Sequence, residues 1–130
     1  MIPLRIFASL VPLCLFVGTA ALAASPESPN GAVLGKPTVL VFGLGSRCRY
    51  CVQLKEEIRQ VTHETGDSVQ FHDIRVDRDK DTVQAYRVLT SPTLVFLDAK
   101  GAEVFRHQGI LDAAQLLERL VGLGFWPGKG

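Results

Sequence analysis

An excess of charge of either sign is missing from this sequence: 14 lysines and arginines stand against 13 aspartates and glutamates, a formal net charge of +1. A chain so nearly neutral carries no electrostatic footprint for nucleic acid or another polyanion. Cysteine is scarce, with three in 130 residues. Three cannot staple a disulfide-rich scaffold, and an odd number leaves at least one thiol apart. No internal repeat or low-complexity run interrupts the chain. The remaining composition, 47% hydrophobic over 130 residues, fits one globular domain.

The first 23 residues read differently from the rest. They carry a single charge, Arg5, then an apolar stretch from Ile6 to Val17, then Ala21-Leu22-Ala23. A positive start, a short apolar core and a small-x-small site make a cleaved secretory signal over residues 1–23. The competing reading is an uncleaved membrane anchor, although the unbroken apolar core is about a dozen residues and spanning takes about 20. Cys14 follows Leu13 rather than a small residue, which argues against lipid attachment, and it would leave with the signal. Residues 25–31 are polar and proline-rich, and residues 24–35 around them read as a flexible tether. Without Arg5 the remainder holds 13 basic and 13 acidic residues (14 − 1 against 13) and two cysteines, Cys48 and Cys51. Export would place it outside the cytosol, where thiols are oxidised unless something keeps them reduced.

Along the remainder, strands and helices alternate. Residues 38–42 are a continuous β-branched and aromatic run between Pro37 and Gly43, the pattern of a strand buried on both faces. From 51 to about 61, Val52, Leu54, Ile58 and Val61 recur at helical spacing, with Lys55, Glu56, Glu57 and Arg59 as the solvated face. Residues 69–77 read as a second strand whose apolar alternation slips between Phe71 and Ile74. Residues 81–88 form a short helix with Val83 and Tyr86 inward. Residues 93–97 and 103–106 make a hairpin across Asp98-Ala99-Lys100-Gly101. Asp112 caps a last helix with Leu116, Leu117, Leu120 and Val121 as its inward stripe. The order β-α-β-α-β-β-α implies an α/β fold, a central mixed sheet flanked by helices. Phe125 and Trp126 fall in a C-terminal tail, residues 125–130, that either packs on the domain or is disordered.

Ligand chemistry on such sheets gathers where a strand ends and a helix begins. Here that junction holds Cys48-Arg49-Tyr50-Cys51, a C-x-x-C of redox type. Positions i and i+3 share one face of the first helical turn, so the two sulfurs can bond. The helix N-terminus lowers the pKa of a thiol on Cys48, and Arg47 and Arg49 push the same way. Cys48 is then the nucleophile and Cys51, one turn deeper, the resolving thiol, with a Cys48–Cys51 disulfide as the oxidised form. Two plainer readings compete. A structural disulfide closing so short a loop would contribute about 2 kcal/mol, against about 3 kcal/mol for a loop of about 15 residues. A zinc site needs further ligands at close spacing, and His63, His72 and His107 are scattered, reading instead as surface or satisfied positions. No metal and no cofactor is implied.

Thr90-Ser91-Pro92-Thr93 is the second motif. Proline before a strand is commonly just a strand-start residue. Downstream of C-x-x-C it gains another reading, a cis-proline loop facing the dithiol, with the backbone of Ser91 free to pair with a substrate as an added strand. Tyr50 offers stacking area at the rim, or plain surface cover.

With these residues in place, the segment from Lys36 to Gly124 resembles the thioredoxin superfamily. The resemblance lies in the strand leading into C-x-x-C, the Val76-Asp77 strand end, the Ser-Pro-Thr before the hairpin and the turn at Gly109. The run Glu103 to Gly109 and the leucine-rich last helix are similar to small exported bacterial thioredoxins. That implies a thioredoxin-like domain over 36–124, reducing disulfide-bonded proteins in the periplasm as a monomer, recharged by an inner-membrane thiol-relay protein. Arg47 stands where the family usually has tryptophan, and Arg49-Tyr50 replaces its Gly-Pro. The family's buried carboxylate aligns with Phe42, or with Val41, so Cys51 must rely on water or another base. Oxidants of the superfamily carry a helical insertion for which this chain has no room, which favours a reductase; the arginines, by favouring the reduced form, argue for an oxidant. A non-catalytic binding module that presents the Ser91-Pro92 loop is the third reading.

Overall fold

A computed structural model describes residues 35–130, so the expected signal, Cys14 and most of the tether lie outside the described residues. The chain runs through β1 (Thr38–Gly43), a 3-10 turn (Gly45–Arg47), α1 (Arg49–Thr65), a second 3-10 turn (Gly66–Ser68), β2 (Gln70–Arg75), α2 (Lys80–Ala85), β3 (Thr93–Leu97), β4 (Glu103–Gln108) and α3 (Ala113–Gly122). The strands form one mixed sheet in the order β2-β1-β3-β4. β1 runs parallel to β2 and antiparallel to β3, and β3 and β4 are the hairpin.

The two central strands are apolar throughout because both faces of the sheet are covered. On one face Val39, Val41, Leu94 and Phe96 pack against Leu54, Ile58 and Val61 of α1 and Leu116 and Leu120 of α3. On the other, Leu40, Phe42, Ile74, Val95 and Leu97 meet Val83, Tyr86 and Val88 around α2. Neither layer could be dry without its helices, so the strand-helix alternation and the two-sided core are one fact.

Several sequence expectations change in detail. β2 pairs with β1 without a register break from Gln70 to Arg75, so the slip in apolar alternation between Phe71 and Ile74 is present as a change of face within a regular strand. Those residues simply serve opposite faces, Phe71 packing on one layer and Ile74 on the other. α1 begins at Arg49 and ends at Thr65, and its buried stripe is Cys51, Leu54, Ile58, Val61 and Thr65. Val52, expected inward, is half exposed; Cys51 takes that place, at the regular 3-4-3-4 spacing of the stripe. In α3 the stripe is Leu116 and Leu120 with Leu117 partly buried, whereas Val121 is exposed. Glu57 is not merely solvated, because its carboxylate accepts the Ala113 N–H at 2.8 Å and ties α1 to the start of α3. The tail is docked: Phe125 joins the core, 6.5 Å from the Phe96 ring, and Lys129 pairs with Glu64 at 2.6 Å.

Candidate functional site

The site begins where β1 stops. Gly43 is the last strand residue, and a Cβ there would lie 3.2 Å from the Cys51 sulfur, so the close approach of that sulfur to the strand end depends on glycine. Gly45 takes a φ of +64° and opens the 3-10 turn that carries the chain to Cys48. Cys48 is the N-cap of α1, extended at φ −114° and ψ 109°, and its sulfur accepts the Cys51 N–H at 3.1 Å. An orphan donor at a helix start is thereby directed at sulfur, the arrangement that favours a thiolate. The two cysteines are joined as a disulfide with Cα atoms 5.1 Å apart. Cys48 is half-buried, while Cys51 lies beneath it at 7% exposure.

The two arginines do not act alike. Arg47 pairs with Asp77, whose other partner, Arg75, grips the same carboxylate with Nε at 3.0 Å and Nη2 at 2.9 Å. Hydrogen bonding to Arg75, with the charges of Arg75 and Arg47 behind it, holds the Asp77 carboxyl below the usual range. The Arg47 guanidinium is therefore shared with a carboxylate, which lessens the pull expected of it on the Cys48 thiol. Arg49 is exposed on the first turn of α1. Tyr50 stands out at 61% exposure, and Leu89, which the sequence reading passed over, at 92%.

The loop before β3 closes the site from the other side. Thr93 Oγ1 donates to the Thr90 carbonyl at 2.7 Å and Gly109 N–H donates to the Pro92 carbonyl at 2.9 Å, fixing the loop at both ends. The Ser91–Pro92 peptide bond is cis. Pro92 is buried, and Ser91 Oγ is 3.3 Å from Cys51 Sγ. Among the described residues the Ser91 backbone makes no hydrogen bond.

Behind Cys51 is a cavity of about 30 Å³, walled by Val41, Gly43, Ile74 and Pro92, with Lys55, Asp73 and Arg75 at its polar side. Lys55 and Asp73 form an ion pair at 2.7 Å. Of the two positions aligned with the family's carboxylate, Val41 is the one on this wall, and Phe42 faces the opposite layer. Sequence reasoning missed the Lys55–Asp73 pair. Lys55 follows Cys51 by one helical turn, a signal for a shared face, but nothing local in β2 marks Asp73. Among the described residues, no three His, Cys, Asp or Glu side chains converge as a metal site requires.

A family model described as a thioredoxin-like domain matches residues 32–122. A search of curated proteins finds no match. Among solved structures the chain is similar to an uncharacterized thioredoxin-like protein from Clostridium perfringens, at 30% identity and TM-score 0.66, covering 72% of this chain and 75% of that one. It is similar to chloroplastic thioredoxin z at 26% identity and TM-score 0.62, over 69% of this chain and 80% of the other. For Fasciola hepatica thioredoxin the values are 26% identity and TM-score 0.59, over 68% and 81%.

Proposed function

The chain belongs to the thioredoxin-like family, and on that premise we propose that it is a small exported reductase of protein disulfides. The fold and the Cys48–Cys51 pair support a thiol–disulfide oxidoreductase at the general level. The assignment of Cys48 as nucleophile and Cys51 as resolving thiol rests on the asymmetry of the pair: a half-exposed Cys48 at the N-cap of α1, receiving the Cys51 N–H, with Cys51 buried behind it.

In the reduced protein the Cys48 thiolate attacks one sulfur of a substrate disulfide. That S–S bond breaks, a mixed disulfide forms, and the first substrate thiolate leaves and takes a proton from water. Cys51, as thiolate, then attacks Cys48 Sγ. The Cys48–Cys51 bond forms, the second substrate thiolate departs, and two electrons have passed to the substrate. The extended segment around the attacked disulfide pairs with the free backbone of Ser91 beside Pro92, and Tyr50 supplies contact area at the rim. An external dithiol must then reduce the protein; the resemblance to exported thioredoxins favours an inner-membrane thiol-relay donor, and the leader-like residues 1–23 favour the periplasm. The pairing of Arg47 with Asp77 weakens the electrostatic case for an oxidant, since that guanidinium is partly neutralised.

The test is the equilibrium reduction potential of residues 24–130 in thiol redox buffers, together with insulin-disulfide reduction by the Cys48→Ser and Cys51→Ser variants. A potential near that of thioredoxin, about −270 mV, is the expected result, and one above about −150 mV reverses the direction of electron flow. Cys48→Ser abolishes insulin reduction, whereas Cys51→Ser accumulates a mixed disulfide through Cys48. A Cys48→Ser protein that keeps its activity overturns the assignment of the nucleophile.

A further inference from the structure

Resolution of the mixed disulfide requires Cys51 as a thiolate, and its surroundings oppose one. The side chain is 7% exposed, and burial works against the charged form of a thiol. Its backbone N–H is already given to the Cys48 sulfur. The β1 wall beside it is Val41, with no carboxylate to take its proton. The charged groups around the adjoining cavity are Lys55 from α1 and Asp73 and Arg75 from β2. Lys55 is bound to Asp73, and Arg75 to Asp77. From the loop before β3, one hydroxyl reaches the sulfur itself: Ser91 Oγ, at 3.3 Å.

We propose that the Ser91 hydroxyl is a catalytic group of this chain, donating its O–H to the Cys51 sulfur and holding the thiolate that resolves the mixed disulfide. The inference rests on the thiol–disulfide reading above and adds to the pairing of the Ser91 backbone with substrate. In the step, the Cys51 proton passes to water. The thiolate attacks Cys48 Sγ, forming the Cys48–Cys51 bond and breaking the bond from Cys48 to the substrate sulfur, which leaves as a thiolate. Ser91 keeps its proton throughout. A hydrogen bond of this kind lowers the pKa of the thiol but also its intrinsic nucleophilicity, with a Brønsted coefficient of about 0.4–0.5. The gain in rate is therefore confined to pH values below the titration of Cys51.

The experiment uses a small aromatic disulfide, 5,5′-dithiobis(2-nitrobenzoate), at equimolar amount with the reduced protein. It has no backbone to pair with Ser91, so substrate docking does not enter. Attack by Cys48 releases one coloured thiolate and closure by Cys51 releases the second, giving two phases in one trace. For Ser91→Ala the second phase is read against the first, which reports attack by Cys48. The second is roughly threefold slower at pH 7 and its pH midpoint rises by about one unit: a tenfold loss of thiolate, offset in part by a more nucleophilic sulfur. The deficit narrows as pH rises and reverses above the midpoint. Ser91→Thr, which keeps the hydroxyl, restores the native profile. A second phase slowed equally at every pH, or left unchanged, overturns the proposal, the first because a displaced loop acts without regard to pH. If the unsubstituted protein gives no second release, the redox reading itself fails, which the Ser91 variants alone would not reveal.

Discussion

Asp77 shows how much of the site's electrostatics passes through one side chain. Two guanidiniums share its carboxylate, one from the turn before Cys48 and one from the end of β2. The bonds hold the approach to Cys48 against the sheet and also partly cancel the positive charge nearest the nucleophile. Because the folded-state pKa is depressed, the contribution to stability is present above the ordinary carboxylate value and disappears as pH falls through the depressed one. A carbon-detected NMR titration of the Asp77 carboxyl is expected to give a midpoint below 3.8, and Asp77→Asn to flatten that part of the acid unfolding curve. The same variant frees Arg47, so the Cys48 alkylation profile moves to lower pH at low salt and returns towards the native one as salt is added. An alkylation profile identical in the two proteins at low salt would show that Arg47 exerts no field on Cys48. None of this was legible in the sequence. Val76-Asp77 stands out there only as a strand end, and the ion pair joins residues 30 positions apart.

At the scale of elements, what could be read follows from what each element touches. β1 and β3 are legible because strands covered on both faces are apolar without interruption. The start of α3 is legible because a capping aspartate acts locally: Asp112 accepts the Gln115 N–H at 2.8 Å, and Gln115 Oε1 accepts the Asp112 N–H at 3.1 Å. Replacing Asp112 by alanine is expected to cost about 1 kcal/mol, read as a lower urea midpoint with an unchanged slope. A midpoint within error of the native one would show that Glu57, which accepts the neighbouring Ala113 N–H, suffices for this helix start. Glu57 itself was not legible, since its role depends on α1 crossing the first turn of α3. The misplaced valines have a similar cause. Val52 and Val121 fit a helical stripe by spacing, but Cys51 and the leucines of α3 already fill the faces turned to the sheet, and both valines are left at the surface. The dithiol was legible as a pair of cysteines on a first helical turn. That the deeper cysteine heads the buried stripe of α1, and that a serine hydroxyl lies against it, depends on packing between β1, α1 and the loop before β3.

For the molecule as a whole, the layered build separates what stabilises the fold from what sets its chemistry. One layer, between the sheet and α1 with α3, contains Phe125, which lies beyond the end of α3 yet is buried against Phe96. The dithiol sits at the end of β1, where Gly43, Cys51, Ser91 and Pro92 meet. A buried phenylalanine replaced by alanine costs about 3–5 kcal/mol. In a domain of this size each kcal/mol lowers Tm by roughly 4–8 °C. Phe125→Ala is therefore expected to lower Tm by at least about 12 °C in differential scanning calorimetry. Its reduction potential, measured well below the new Tm, should remain that of the unsubstituted protein, because Phe125 is not among the residues walling Cys51. A small change in Tm would mean that the tail is held by Trp126 and the Lys129–Glu64 pair rather than by the buried ring. A shifted potential would carry further, for it would make the α3 layer part of the machinery that poises the dithiol. Thiol chemistry would then depend on the packing of the whole sheet and not on the strand end and two loops that surround the sulfurs.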